Sequence, residues 1–404
     1  MPLYTQILVA MILGLVTGLI FGKQVSFLGE FGKIIIQLIK VMAAPLLFFA
    51  IVDAFMRTQM ERKRGLWLAF ICTINTTLAV VIGLGLSNWL EPGKHMVRPE
   101  TAVTGGTELL KAEKIDFVKA ITGYIPQNIV QPFQENSVLT IVLLALLAGL
   151  ALRKIKDDRD WQPQAETMDR FVQGAFRATE IILAWIIMFI PLAVFGVIAK
   201  TVGEQGLAPL KGLAVYVGVA LLGLAIQVFV VYQFWIFAVA RESLRRFWSA
   251  ARDAIVYALG ASSSLATLPV TLKSIDKLGV SHASARMAAC VGTNFNNDGI
   301  LLYEAMAVLF VAQVHGIEMS YSQQLVAALS CVIAGIGIAG VPDAGLISLA
   351  LVLATVGLPL EILPLLLTVD WILSRARATT NVISDIAVAR LLDHFTGHAP
   401  TRRR

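Results

Sequence analysis

The sequence predicts an all-α integral membrane protein, and three observations carry that prediction. Of its 404 residues 57% are hydrophobic and only 15% charged, with a mean hydropathy of +0.75, whereas soluble domains hold roughly 45–50% apolar residues. Residues 66–90 and 212–240 contain no charged side chain, and each run exceeds the ~20 residues a helix needs to cross a ~30 Å hydrocarbon core. After Arg252, apolar arms of roughly 12 residues meet at small and polar centres. Such arms are too short to span but can pair at a turn.

Taken in order, the first apolar run, Tyr4 to Phe21, has no basic residue before it and no small-residue cleavage pattern after it. It reads as a first span, 4–22, rather than a removed signal. Further spans are expected at 31–56, 66–90, 136–152, 171–199 and 212–240, with a longer polar connection over 91–125. Basic clusters follow the second ("RTQMERKR"), fourth ("RKIKDDR") and sixth ("RESLRR"), and the chain ends in "TRRR". By the positive-inside rule these belong in the cytoplasm, so both termini are expected there. Glu91, Glu100, Glu108 and Glu113 in the long connection suit the outer face. The net charge of +6 is spread over these clusters, so it reports topology rather than a nucleic-acid surface. Cys72, Cys290 and Cys331 lie singly in apolar segments, which suggests neither a disulfide framework nor a metal site.

Two segments depart from the pattern of plain spans. In "YALGASSSLATLPV" an apolar arm runs into three serines and leaves through Thr267 and Pro269; in "IAGIGIAGVPDAGLISLALVLATVGLP" two arms meet at "GVPDAG". Both read as re-entrant hairpins, over about 253–278 and about 322–359, entering and leaving on one side. Each precedes a long apolar segment with a polar centre, 283–314 and 362–392. Inverted repeats whose broken helices meet near the midplane are a hallmark of secondary transporters.

The chemistry-bearing residues concentrate at those centres. Asp370, Ser374, Arg377, Asn381 and Asp385 are spaced 4, 3, 4 and 4, which holds them within a sector of roughly 80° on a helix. Ionisable residues inside a span face a cavity or bundle interior and mark a substrate or ion path; the plainer reading pairs Arg377 with Asp370 or Asp385 as glue between helices. Arg377 is the natural ligand for a carboxylate, which its guanidinium grips through two parallel hydrogen bonds. Arg375 falls on another side of the helix. Asp385 and Asp298 are hard oxygen donors without cysteine or histidine nearby, favouring an alkali cation or a proton. In "NFNNDG" the asparagines, aspartate and glycine favour leaving the helix, so the backbone is expected to unwind there and free carbonyls beside Asp298. The serine tip and "GVPDAG" offer amides and hydroxyls to an anion; a tight turn of small residues is the alternative.

With these residues in view, the chain resembles the dicarboxylate/amino acid:cation symporter family, which includes the glutamate transporters and bacterial C4-dicarboxylate carriers. The resemblance runs over nearly the whole chain through "IQLIKVMAAPLLFFAIV", "IPQNIVQPFQENSVLTIVLLALLAGLAL", "SSSLATLP", "NFNNDG", "GIAGVPDAGL" and "VDWILSRARATTNVISD". It implies eight transmembrane helices, two re-entrant hairpins and a homotrimer in the inner membrane. In each protomer a transport part, about 66–92 and 212–395, would move against a scaffold of about 1–56 and 125–200.

The resemblance also implies site residues. Ser263 and Ser264, with Val341, Ala344 and Gly345, would clasp one substrate carboxylate; Arg377 would take the distal one, and Asn381 would sit beside the substrate's backbone end. One sodium site would combine Asp385 with backbone oxygens of Gly292, Asn296 and Asn381. A deeper one would use Asp298, Asn296 and Thr76, and a third the backbone near Asn294 with Gly335, Ile336 and Ile338. Protons are the alternative coupling ion.

Departures from the family pattern refine this. Amino-acid carriers of the family place an aspartate for the substrate ammonium where this chain has Ser374, so the pattern favours a dicarboxylate without an amine. Ala378 replaces a threonine, Asn297 a methionine and Ile300 a threonine, while Cys72 and Asn75 replace residues that help the deep cation site. Asp385 is kept as in the amino-acid carriers. The competing expectations are an acidic amino-acid carrier that holds the ammonium by Asp343, Asp370 or backbone carbonyls, and a passive anion channel. An intramembrane hydrolase is disfavoured, because "GASSS" lacks the G-x-S-x-G elbow and no histidine lies in a polar-centred span.

Overall fold

The computed structural model describes residues 3–57, 62–96, 126, 128–135, 138–156, 158, 160–338 and 344–396. Among them every regular element is helical. Helix α1 (Leu3–Phe21) passes through a 3-10 turn, Gly22–Leu28, into α2 (Gly29–Arg57), and α3 (Arg62–Leu90) follows. Next come α4 (Val138–Lys156), α5 (Gln162–Ile187), α6 (Ile190–Gln205) and α7 (Ala208–Ile226), the last extended by π-helical turns at Gln227–Val231 and Trp235–Val239. The remaining helices are α8 (Leu244–Ala261), α9 (Ser264–Lys277), α10 (His282–Arg286), α11 (Asp298–Val314), α12 (Tyr321–Ile338), α13 (Ala344–Thr355) and α14 (Leu363–Thr396).

By length and composition, three described helices can cross a membrane: Thr5–Ile35, Lys63–Leu90 and Leu210–Val239. Helices α5 and α6 pass the same test together but are bent by 41°. The single span expected over 171–199 is therefore two helices. Pro191, in the first turn of α6, supplies no N–H to continue α5 and its ring crowds the preceding turn.

Helix α8 begins at Leu244, well before the expected start of the first hairpin near 253. Its buried face, Phe247, Ala250, Ala251, Ala254 and Ala258, follows helical spacing, while Arg245, Arg246 and Arg252 lie on the other side. It packs on α9. The break between them falls at Ser262, left-handed with φ 53°, and Ser263, whose hydroxyl caps α9 by accepting from Ala266 N at 3.2 Å. Helices α12 and α13 likewise pack on each other and on α11. The centre of "GVPDAG", including Val341 and Asp343, lies outside the described residues.

Two apolar clusters organise the packing, and a polar seam lies where they meet. Along α3, Leu68, Ile71 and Cys72 belong to one cluster and Ala79, Val80 and Leu86 to the other, with buried Asn75 and Thr76 between. Along α7, Leu213 to Leu224 lie in one cluster and Val228 onward in the other, with buried Gln227 between. In α14, Leu373 closes the first set and Val382 opens the second, with Arg377 and Asn381 between them. The seam is thus specified three times over, by polar residues at matching depths of separate helices.

A candidate substrate and cation site in the polar seam

The expected unwinding of "NFNNDG" is present. Helix α10 runs through a π turn, Met287–Val291, and a 3-10 turn, Gly292–Asn294, and the helix restarts at Asp298 after Asn297 with φ −98° and ψ 45°. Asn side chains compete with the helical ladder for backbone groups, so the break is locally encoded. The Gly292 carbonyl accepts from Phe295 N and Asn296 N, both at 2.8 Å.

Asp298 is fully buried and gathers donors from three helices. Its Oδ2 accepts from Tyr232 Oη at 2.8 Å, Ser384 Oγ at 2.9 Å and Gln227 Nε2 at 3.5 Å; its Oδ1 accepts from Thr76 Oγ1 at 3.4 Å. Gln227 and Tyr232 face the same carboxylate because the π-helical turn between them brings side chains five apart onto one side. Asn296 links this carboxylate to Asp385, donating to Ser384 Oγ at 2.8 Å and to Asp385 Oδ1 at 3.4 Å. Among the described residues, the buried amide oxygens of Asn75, Gln227 and Asn296 find no hydrogen-bond partner. Buried polar atoms are normally satisfied, and hard oxygens left over beside two carboxylates fit an alkali cation.

Arg377 is the cationic group of the seam. Its Nη1 lies 2.9 Å from Asp370 Oδ1 and its Nη2 donates to Oδ2 at 3.1 Å, with both side chains 6% exposed or less. One face of the guanidinium rests on the Tyr303 ring, 4.0 Å from its centroid. The first turn of α13 closes over it: a Cβ on Gly345 would lie 3.1 Å from Arg377 Cζ, so the bare backbone packs against the guanidinium and any side chain there would crowd it. Arg375 points elsewhere, its guanidinium on Trp371.

Asn381 lies one helical turn beyond Arg377. Its Oδ1 accepts from Gly299 N at 2.8 Å, and its Nδ2 donates to Asn297 Oδ1 at 3.3 Å; Asn297 in turn donates to the Gly335 carbonyl at 3.1 Å. The structure therefore brings Arg377, Asn381, Gly345 and Gly335 into one neighbourhood, and Thr76, Asn296, Asp298 and Asp385 into another. Ser374 is half-buried and its hydroxyl is turned to its own helix, on Trp371 O at 3.4 Å. Ser263 and Ser264 are half-buried at the start of α9, which packs against α14. For Asn294, Ile336, Ile338 and Ala344 only the backbone is described.

Four residues of this neighbourhood escape the sequence reading: Gln227, Tyr232, Ser384 and Glu304. Glu304, fully buried in α11, receives a hydrogen bond from Ser348 of α13 and lies beside Cys331 of α12. It joins the broken helix to both arms of the second helix pair. The available signal was a single glutamate inside "LLYEAMAVLF", a residue costly at membrane depth.

Spanning helices gathered around a buried polar seam define a multi-pass membrane protein of the transporter class rather than an enzyme. The chain belongs to the sodium:dicarboxylate symporter family, whose model matches residues 3–395. It is similar to the C4-dicarboxylate transport protein of Deinococcus radiodurans, 31% identical over 400 residues that cover 96% of this chain and 88% of that one. The proton/sodium-glutamate symport protein of Bacillus caldotenax is 28% identical, with 97% and 94% covered. Excitatory amino acid transporter 1 of Ambystoma tigrinum is 27% identical, with 93% and 78% covered.

Proposed function

We propose that this chain imports a C4-dicarboxylate of the fumarate, malate or succinate type, coupled to sodium, by an elevator-type alternating-access mechanism. The observation that carries the reading is Arg377: a guanidinium at 3% exposure, capped by the bare backbone of Gly345, with Ser374 beside it offering no counter-charge to an ammonium. In this reading the distal carboxylate engages Arg377, Asn381 holds the other end, and Ser263, Ser264, Val341, Ala344 and Gly345 clasp that end's carboxylate. Sodium would sit at Asp385 with Asn296, and at Asp298 with Thr76; the unpartnered oxygens of Asn75, Gln227 and Asn296 support that placement. Glu304 supplies a buried carboxyl able to carry a proton between the two arms of the second hairpin.

The same proposal includes eight membrane helices, two re-entrant hairpins, a homotrimer in the inner membrane with cytoplasmic termini, and a transport part of about 66–92 and 212–395 moving on the scaffold. The named C4-dicarboxylate relatives favour this substrate. Acidic amino acids are the second reading, supported by the buried Asp370 carboxylate beside Arg377, to which an ammonium could turn. Purified protein in liposomes should accumulate labelled succinate down an imposed sodium gradient, and aspartate should compete poorly. Uptake indifferent to sodium and proton gradients would leave a passive channel; gradient-driven uptake of aspartate but not of succinate would establish the second reading.

A further inference from the structure

Gly335 sits in the last described turn of α12. Its carbonyl receives Asn297 Nδ2 at 3.1 Å. That bond ends a relay with only one possible polarity. Gly299 N–H can only donate, so Asn381 must face it with Oδ1, at 2.8 Å; Asn381 Nδ2 then faces Asn297 Oδ1 at 3.3 Å; and Asn297 Nδ2 is left for the Gly335 carbonyl, which can only accept. Turning either amide over would set donor against donor or acceptor against acceptor along the chain. Both amides are 2% exposed, so water does not relieve such a mismatch. The backbones of α11 and α14 are also held close, since a Cβ on Gly299 would lie 2.7 Å from Arg377 O, and Gly335 packs on the Leu301 side chain, where a Cβ would lie 2.6 Å from Cδ2.

An N–H pointed at a carbonyl puts partial positive charge where a cation would need that oxygen. We propose that Asn297 takes the place of a coupling cation at the end of α12: its amide ties the inner arm of the second hairpin to the broken helix and to Asn381, and Gly335 is not a sodium ligand. The ion count in this proposal rests on the sodium-symport reading; the tether does not. Asn297 is a positioning residue that acts through α12 and Asn381.

Cys331, fully buried on α12 one turn before Gly335, reports whether that arm is seated. The experiment follows alkylation of Cys331 by N-ethylmaleimide in the full-length purified protein, resolved by peptide mass, in sodium and in choline. The wild type should react slowly and equally in both. N297L, which removes the relay, should react at least about fivefold faster in both, the opening expected from one lost buried hydrogen bond. N297D keeps an oxygen for Asn381 but sets the other, with a negative charge, against the Gly335 carbonyl, so it should be fast in choline and slowed towards the wild-type rate by sodium. Sodium rescue requires a folded protein, so N297D decides the matter if N297L does not fold. An unchanged rate in N297L, or sodium protection of the wild type as large as that of N297D, would overturn the proposal. Failure of sodium-driven uptake in wild-type liposomes would instead end the symport reading and leave the N297L result as the test of the tether.

Discussion

Replacing Asp370 with asparagine separates the role of Arg377 as a structural ion from its role as a ligand. In the structure Arg377 Nη2 donates to Asp370 Oδ2 at 3.1 Å and Nη1 lies 2.9 Å from Oδ1 as an ion-pair contact, with the two side chains 4% and 6% exposed. Asp370→Asn keeps the shape and removes the charge, leaving a buried cation without its partner, a change that costs about 3–5 kcal/mol. The Tyr303 face at 4.0 Å continues to stabilise the guanidinium, which places the loss towards the lower end. An incoming anion changes the balance. A substrate carboxylate about 5 Å from Asp370 would feel roughly 3 kcal/mol of repulsion at an effective dielectric of about 20, and the variant deletes that repulsion. The variant should therefore unfold at a lower temperature than the wild type without ligand, gain more from succinate, and bind it at least about tenfold tighter. Thermal unfolding in detergent, with and without succinate in sodium buffer, reads all three. Unchanged ligand-free stability together with an unchanged succinate shift would refute both the ion pair's contribution and Arg377 as the anion ligand.

Three further changes probe the rest of the seam. Glu304→Gln keeps an oxygen for Ser348 but cannot take up a proton, so sodium-driven uptake should persist while the response to an imposed pH gradient disappears; a retained response would place the proton elsewhere. Tyr232→Phe removes the 2.8 Å donor to Asp298, a charge-assisted bond of about 1.5–3 kcal/mol. A cation then competes better for that carboxylate, and the sodium concentration for half-maximal binding should fall by about threefold or more, whereas a rise would contradict the site. Gly299→Ala forces a Cβ to within 2.7 Å of Arg377 O and 3.0 Å of Asn381 Oδ1. Overpacking of this kind costs about 1–3 kcal/mol and should weaken succinate binding as it spreads α11 from α14; wild-type affinity in a monodisperse preparation would show that the two helices do not need this approach.

What the sequence disclosed follows from how each feature is encoded. The stripe on α14 was legible because polar residues at helical spacing stand out in an apolar run, and the break before Asp298 because asparagine and glycine act locally. The partnership of Arg377 with Asp370 was among the alternatives, since seven residues are close to two helical turns. Gln227 and Tyr232 were hidden because their spacing belongs to a π turn, which no 3.6-residue template detects. The start of α8 was lost beneath arginines on its outer side, and the bend at Met188 beneath an unbroken run of apolar residues on either side of Pro191. Asn297 registered only as a departure from the family pattern. Its bond to Gly335 is set by a carbonyl of α12 and by the Asn381 side chain of α14, information that its own neighbours in the sequence do not contain.

The charge inventory of the seam bears on why a carrier of this design would couple anion to cation. Among the described residues, Asp298, Glu304, Asp370 and Asp385 are all buried, and against these four carboxyls stands Arg377, since Arg390 is taken up by Glu242 at 3.0 Å. A dicarboxylate entering this layer adds two negative charges where positive charge is already short. At an effective dielectric of about 20, each uncompensated like charge about 5 Å away costs roughly 3 kcal/mol, and a few such terms exceed what hydrogen bonds to a small anion return. Cations at Asp298 and Asp385 and a proton on Glu304 would reduce the layer to the neutral Arg377–Asp370 pair, to which the substrate then adds. Coupling in this scheme needs no separate device: the anion site becomes favourable only once the carboxylates around it are neutralised, so the cations act on affinity before they act on movement.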